Sequence, residues 1–353
     1  MQIPPRFKQP LKFVLLTLVP AAFIAVVFQN CSDSGLPDNL NEQSSTAGSV
    51  PNNGIQSSDG DGIGTVPPPP GAKYCRFFMT GGNYWKVPTD FNSNVNTVEV
   101  IGSGADGGGN TRGGGGGGAY AKSVNVALPA GQTVMYNVAH LSGSYPLSGH
   151  GTATSGGDAY LCNSTANCGS LQGSAVVAGA EGGWTTTNSA PRTSQDSGID
   201  EVGGMGGRAA ASVARGTGSV AYSGGRGGDC YIDCSYSPSS APGSGGGAAG
   251  PHGNGIDGGS GVGHGGAGDG GYGGAGGGAS SAGANGTEWD ASHGSGGGGG
   301  GSVVNVGGAR GGNFGGGGGG GGNDAYGTIT AADASGIGGG GLIVVTYLGV
   351  NCQ

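Results

Sequence analysis

Seven cysteines and five histidines are the side chains of this sequence best equipped for chemistry. Cys31 stands apart behind an apolar run, which leaves an even set: Cys75, Cys162, Cys168, Cys230, Cys234 and Cys352. The CYIDC spacing of Cys230 and Cys234 could start a zinc site, but no second Cys/His pair at ligand spacing completes one. Disulfides are the expected use in an exported chain. Of the many connectivities six cysteines allow, spacing favours Cys162 with Cys168 and Cys230 with Cys234, each stapling its own loop. Cys75 and Cys352 would then tie the beginning of the domain to its end.

The remaining chemical candidates are weaker. His140, His150, His252, His264 and His293 include no i, i+4 pair, so they read as hydrated loop side chains rather than metal ligands. Gly102-Ser103-Gly104-Ala105-Asp106-Gly107 fits GxGxxG after a strand, but it opens no helix and no βαβ alternation follows to hold a dinucleotide. No phosphate-cradling P-loop is present. Gly253 to Asp257 matches half of a calcium nonapeptide that does not recur, and no nucleophile elbow supports a Ser/His/Asp triad. No enzyme activity, cofactor or metal is expected.

What stands out instead is a set of isolated aromatic residues: Tyr145, Trp184, Tyr231, Tyr236, Tyr272 and Trp289. Aromatics on rigid loops make good recognition anchors at low entropic cost; the competing reading is that they plug gaps between glycines. The insertions Leu141–His150, Cys162–Cys168, Trp184–Glu201 and Cys230–Pro242 are candidates as a group. Stapled loops lose less entropy on binding.

The elements that must carry these residues are unusual. Of 353 residues, 91 are Gly and 17 Pro, with 10% charged and 7% aromatic. No strict Gly-X-Y register makes this collagen. Residues 1–30 read as a secretion signal, with Arg6, Lys8 and Lys12 before the apolar run Phe13–Phe28. FQNCS resembles the lipoprotein signals of some predatory bacteria, although Asn30 and Phe28 depart from the usual small residue and leucine. That resemblance makes Cys31 the lipidation site; an uncleaved anchor helix is the alternative. Ser32 in place of an inner-membrane retention Asp implies the outer membrane. The net charge of −8, more negative once the basic signal is removed, excludes nucleic acid as a partner.

Residues 31–70 lack apolar periodicity and read as a disordered stalk, about 35 Å in root-mean-square span for about 39 flexible residues. The domain of residues 71–353 follows. Val98 and Val100 alternate as in a strand, Val124 and Val126 do likewise, and Val134, Tyr136 and Val138 form the next strand. The intervening ALPAGQ reads as a hairpin loop. Leu342–Tyr347 is a buried central strand, and Phe77, Phe78, Trp85, Val87 and Phe91 add core.

Between the strands lies glycine: 42 of the 80 residues from Gly243 to Gly322. Alone, such a chain cannot offset an ordering cost of about 1–2 kcal/mol per residue. Yet pure runs recur at Gly113–Gly118, Gly296–Gly301, Gly315–Gly322 and Gly338–Gly341. In a three-fold extended helix, six to eight residues span about 19–25 Å, close to the roughly 20–23 Å of a six- or seven-residue strand. The match suggests runs and strands packed side by side, with lateral hydrogen bonds and Cα–H···O contacts.

Trp85–Pro88 (W-x-V-P), GGGGGGAYA, V-x-V…P-x-G-Q-T-V-x-Y-x-V and the closing GGGGLIVVTY together resemble the bacterial and phage glycine-rich domain of tail-fibre and surface proteins. They are also similar to the glycine-rich ectodomain of the anaplastic lymphoma kinase and leukocyte tyrosine kinase receptors. The resemblance covers about residues 75–350 and implies an all-β fold: a β-sandwich core with an inserted polyglycine-II helix bundle. It also implies a recognition module that binds glycan or protein on another cell. The other reading is a structural envelope protein that self-associates through its glycine surface. A homo-oligomer is left open, with no heptad coiled coil to enforce one.

Overall fold

The computed structural model describes residues 69–108, 113–139, 153–185, 199–231, 241–261, 263–302, 306–321 and 335–352. All of them fall in the second of the chain's two compact units, Ser45–Gln353. The signal peptide, Cys31 and nearly all of the stalk lie outside them. No helix among the described residues is long and apolar enough to cross a membrane.

The domain is all-β, a sandwich of two antiparallel sheets. The first sheet has the order β1 (Lys73–Met79), β11 (Leu342–Gly349), β3 (Asn96–Ile101), β4 (Tyr120–Val124) and β9 (Val220–Tyr222). The second runs β2 (Tyr84–Lys86), β5 (Thr133–Asn137), β6 (Ala159–Cys162) and β7 (Val176–Ala180). Alternate residues of facing strands meet between the sheets: Phe77, Val98, Val100, Ile343, Val345 and Tyr347 from one, Trp85, Val134, Tyr136 and Leu161 from the other. β11 is flanked by β1 and β3 and buried on both faces, as its unbroken apolar run requires.

One expectation is overturned here. β4 and β5 do not form a hairpin: β4 pairs with β3 and β9, whereas β5 pairs with β2 and β6. The ALPAGQ loop crosses from one sheet to the other. Its Val126 and Leu128 are buried in the inter-sheet core, so the apolar residues read as strand pattern fill the gap between sheets instead. Asn125 takes φ 54° at the departure, held by bonds between the Asn125 and Asn96 backbones and by Val126 N–H donating to the Asn96 carboxamide.

The glycine-rich segments form a raft of extended rods. Each rod bonds a given neighbour at every third residue, the mark of a three-fold helix. Within rod 102–108, Gly102, Ala105 and Gly108 donate to the carbonyls of Ala119, Gly116 and Gly113. Ser103 and Asp106 donate to Gly157 and Thr154, and Gly104 and Gly107 to Gly339 and Gly336. Traced this way, the rods stack in four rows. The first holds 203–208, 223–229 and 254–260; the second 181–185, 113–119, 243–249 and 263–268. The third holds 154–158, 102–108, 315–321, 295–302 and 273–278; the last 335–341, 307–312 and 281–286.

Rods 113–119, 243–249, 295–302 and 315–321 are surrounded on all sides, and three of them carry three of the four pure glycine runs; the fourth, Gly338–Gly341, lies in the outer rod 335–341. A Cβ on Gly117 would lie 2.0 Å from the carbonyl oxygen of Gly247, and one on Gly114 2.0 Å from that of Ser244. Only hydrogen fits there. Rods and strands are not packed side by side as expected but run end to end: β3 continues into 102–108, 113–119 into β4, β7 into 181–185 and 335–341 into β11.

Candidate functional site

The direction of each rod fixes where its connections emerge. Rods 102–108, 181–185 and 223–229 run away from the sandwich, and 203–208, 243–249 and 335–341 run back towards it. Several described connections lie at the end near the sandwich. They include the turn at 250–253, the 3₁₀ turn Asp269–Gly271, the loop 287–294 and the turn at 313–314. The far end carries the described turn at 279–281. The residues bracketing 109–112, 186–198, 232–240, 262, 303–305 and 322–334 all lie there, and 140–152 re-enters there at Thr154. The bracketed segments include the glycine-poor stretches 186–198, 232–240 and 322–334.

Only part of the expected aromatic set sits there. Tyr231 lies at the far end on a two-stranded ribbon of β8 (Ile199–Glu201) and β10 (Cys230–Tyr231) that prolongs two rods. Trp184, in an outer rod heading the same way, is 43% exposed. Its ring lies 5.5 Å from the Arg208 guanidinium, which binds Glu181 through two nitrogens at 2.6 and 2.9 Å. Burial opposes ionisation of Glu181, but the Arg208 bonds outweigh it and hold the carboxyl below its usual range. Met205, 58% exposed, shares this flank. Tyr145 and Tyr236 lie outside the described residues.

The other two aromatics belong to the near end. Tyr272 is 75% exposed, beside His252. Trp289 is 8% exposed and serves the fold. Its indole donates to Glu99 Oε2 at 3.1 Å while Tyr120 donates to Oε1 at 2.7 Å, and Arg76 donates to its carbonyl. This seam, with Ile101, Ala248, Ala249, Leu342 and Val344, seals the sheet's outer face against the raft. Trp289 is therefore not an exposed contact residue.

The disulfides Cys75–Cys352 and Cys162–Cys168 are present. Cys230 is buried and disulfide-bonded; Cys234 lies outside the described residues. The Cys162–Cys168 loop follows β6 away from the raft, so it does not join the far-end group. Two histidines expected as hydrated loops are held in place. His252 binds Asp269, whose fully buried carboxyl is pushed up by desolvation. His293 binds Asp290 and stacks between Phe78 and Phe314.

Sequence reasoning missed the raft's margin. Where an outer rod's N–H has no neighbouring rod to meet, a side chain accepts it. Asn254, Asp257 and Ser260 accept from the backbones of Ser223, Arg226 and Asp229 at 2.8, 2.7 and 3.2 Å. Asp229 and Ser223 accept in turn from Gly203 and Ala209. Asp106 accepts from Gly338, Asp158 from Gly182 and Asn285 from Asn313. The three-residue spacing N-x-x-D-x-x-S over 254–260 is the available signal, and it overlaps the half calcium repeat at Gly253–Asp257 that does not recur. No protein family and no curated protein matches the chain.

Proposed function

We propose that this chain is an exported, lipid-anchored surface protein, an outer-membrane adhesin. It holds a rigid glycine raft on a stalk and recognises glycan or protein on another cell with the far end of that raft. This extends the resemblance to the glycine-rich domains of tail-fibre and surface proteins. The observation that supports it most is that the glycine-poor segments 186–198, 232–240 and 322–334 are all bracketed at the end opposite the sandwich. A surface of that kind can vary in sequence without touching the lattice that carries it. The capped margin supports a discrete particle over a self-associating matrix, because sheet-like edges with unsatisfied N–H groups invite pairing between copies.

The test is binding of labelled, oxidised protein to intact bacterial cells and a glycan panel, with Tyr231→Ala at the far end and Tyr272→Ala at the near end. Saturable binding weakened by the first substitution and not by the second is the expected result. Absence of binding together with concentration-dependent self-assembly would overturn the proposal in favour of the structural role.

A further inference from the structure

The last element of the domain in chain order is also the one both of its cores need. β11 lies between β1 and β3, and without it β1 has no strand to join. Its side chains alternate between the two interiors: Ile343, Val345 and Tyr347 fill the space between the sheets, while Leu342 and Val344 fill the seam against the raft. The residues just before it, 335–341, form a rod bonded to 102–108, 307–312 and 315–321. The residues just after it are held as well. Asp90 accepts from the backbones of Val350 and Asn351, both at 2.9 Å, and Cys352 is bonded to Cys75.

The glycine rods cannot compensate for a missing wall. Each ordered glycine carries the largest backbone entropy loss of any residue and brings no apolar side chain. The rods gain order only from neighbours and from their collinear continuation into β3, β4, β7 and β11. Some of the contacts that fix them, Gly104 to Gly339 and Gly115 to Gly318 among them, join the first rods of the raft to its last ones, and such long-range contacts must be in place before closure is rewarded.

We propose that segment 335–352 is the closing element of the fold: neither the sandwich nor the raft assembles until it has arrived. A chain delivered from its N-terminus onward therefore stays unfolded, and able to pass as an extended chain, until this final segment is present. Its docking then orders both cores together.

The experiment uses the full-length chain, reduced, refolded from denaturant and pulse-labelled by hydrogen exchange, with peptides read by mass spectrometry. The amides of 113–119 and β3 are expected to become protected in the same step as those of β11. Protection of 113–119 in an intermediate whose β11 still exchanges freely would overturn the proposal. Full-length Val344→Pro provides the second measurement, beside Val306→Pro at the far end. The first is expected to bring exchange in 113–119 to the rate of an unfolded chain, and the second to leave it unchanged. Native protection of 113–119 in Val344→Pro would sink the idea, whereas complete failure of that variant to fold is the expected result.

Discussion

The domain has two interiors built on opposite principles. Between the sheets, Val98, Val134, Tyr136 and Ile343 exclude water with apolar side chains, and stability grows with the area they bury. Inside the raft, rods 113–119 and 315–321 exclude water by having almost no side chains, and the backbone N–H groups of 114–119, 315 and 317–321 each find a carbonyl on another rod. The first kind of core is sensitive to atoms removed. The second is sensitive to atoms added. Tight packing alone does not distinguish them; what differs is which groups do the packing.

Substitutions that reverse the usual size rule test this contrast most severely. Gly117→Ala adds one methyl where its carbon would meet the Gly247 carbonyl oxygen at 2.0 Å. Because backbone rather than a flexible side chain must yield, a loss above about 4 kcal/mol is expected, read as loss of cooperative thermal unfolding. Gly253→Ala is the control, since nothing lies within 4 Å of its Cβ position, and its midpoint should barely move.

Cys352→Ser should come next. It opens a loop with a sequence separation of 277; the chain-entropy model gives a ceiling of about 5.6 kcal/mol, and the loss expected in practice is about 2–4 kcal/mol. Denaturant midpoints of the oxidised variant and parent measure it. Val98→Ala, which removes apolar atoms from the sandwich, is expected to cost about 2 kcal/mol. If Val98→Ala proves worse than Gly117→Ala, the contrast between the interiors fails.

Asp257→Ala should cost only about 1 kcal/mol, by removing the acceptor of the Arg226 N–H at 2.7 Å. Its sharper signature is association, because the uncapped margin should self-pair in sedimentation experiments while the parent does not. Acid should act through Glu181 and Asp90. Both carboxyls are partly buried, which opposes ionisation, yet the bonds from Arg208 and from the Asn351 and Val350 backbones hold them below their usual values. Their contribution is present above the unfolded-state carboxylate range near pH 4. It is lost as pH falls through their lower folded values. Asp269 and Glu288, raised by desolvation, act in the opposite sense and lose stabilisation as pH rises through their folded values. Glu181→Gln should flatten the acid limb of the stability profile.

Much of the sandwich was legible. Period-two alternation at Val98/Val100 and Val134/Tyr136, and the unbroken apolar run of β11, identify which side chains go inside. The partner of each strand was not legible. The turn residues of ALPAGQ suit a hairpin and an inter-sheet crossing equally well, and the choice rests on burial of Val126 and Leu128 against residues far away in sequence. The same limit applies to the aromatics. Trp184 and Trp289 look alike as lone indoles among glycines. Only the position of Glu99, 190 residues from Trp289, makes the second a seal and leaves the first in solvent.

The sequence by itself determined that the glycine runs had to be structural, because repeated runs of matched length are what a three-fold extended lattice needs and a linker does not. It also favoured the pairing of Cys162 with Cys168 and of Cys75 with Cys352, through spacing and parity, and the structure holds both bonds. The tertiary structure alone decided which rods are enclosed, which side chains cap the margin and which connections share an end. Those depend on the alternating direction of rods whose backbones are chemically almost identical. A glycine carries no side chain to specify its neighbour, so the neighbour is set by the strands at one end of each rod.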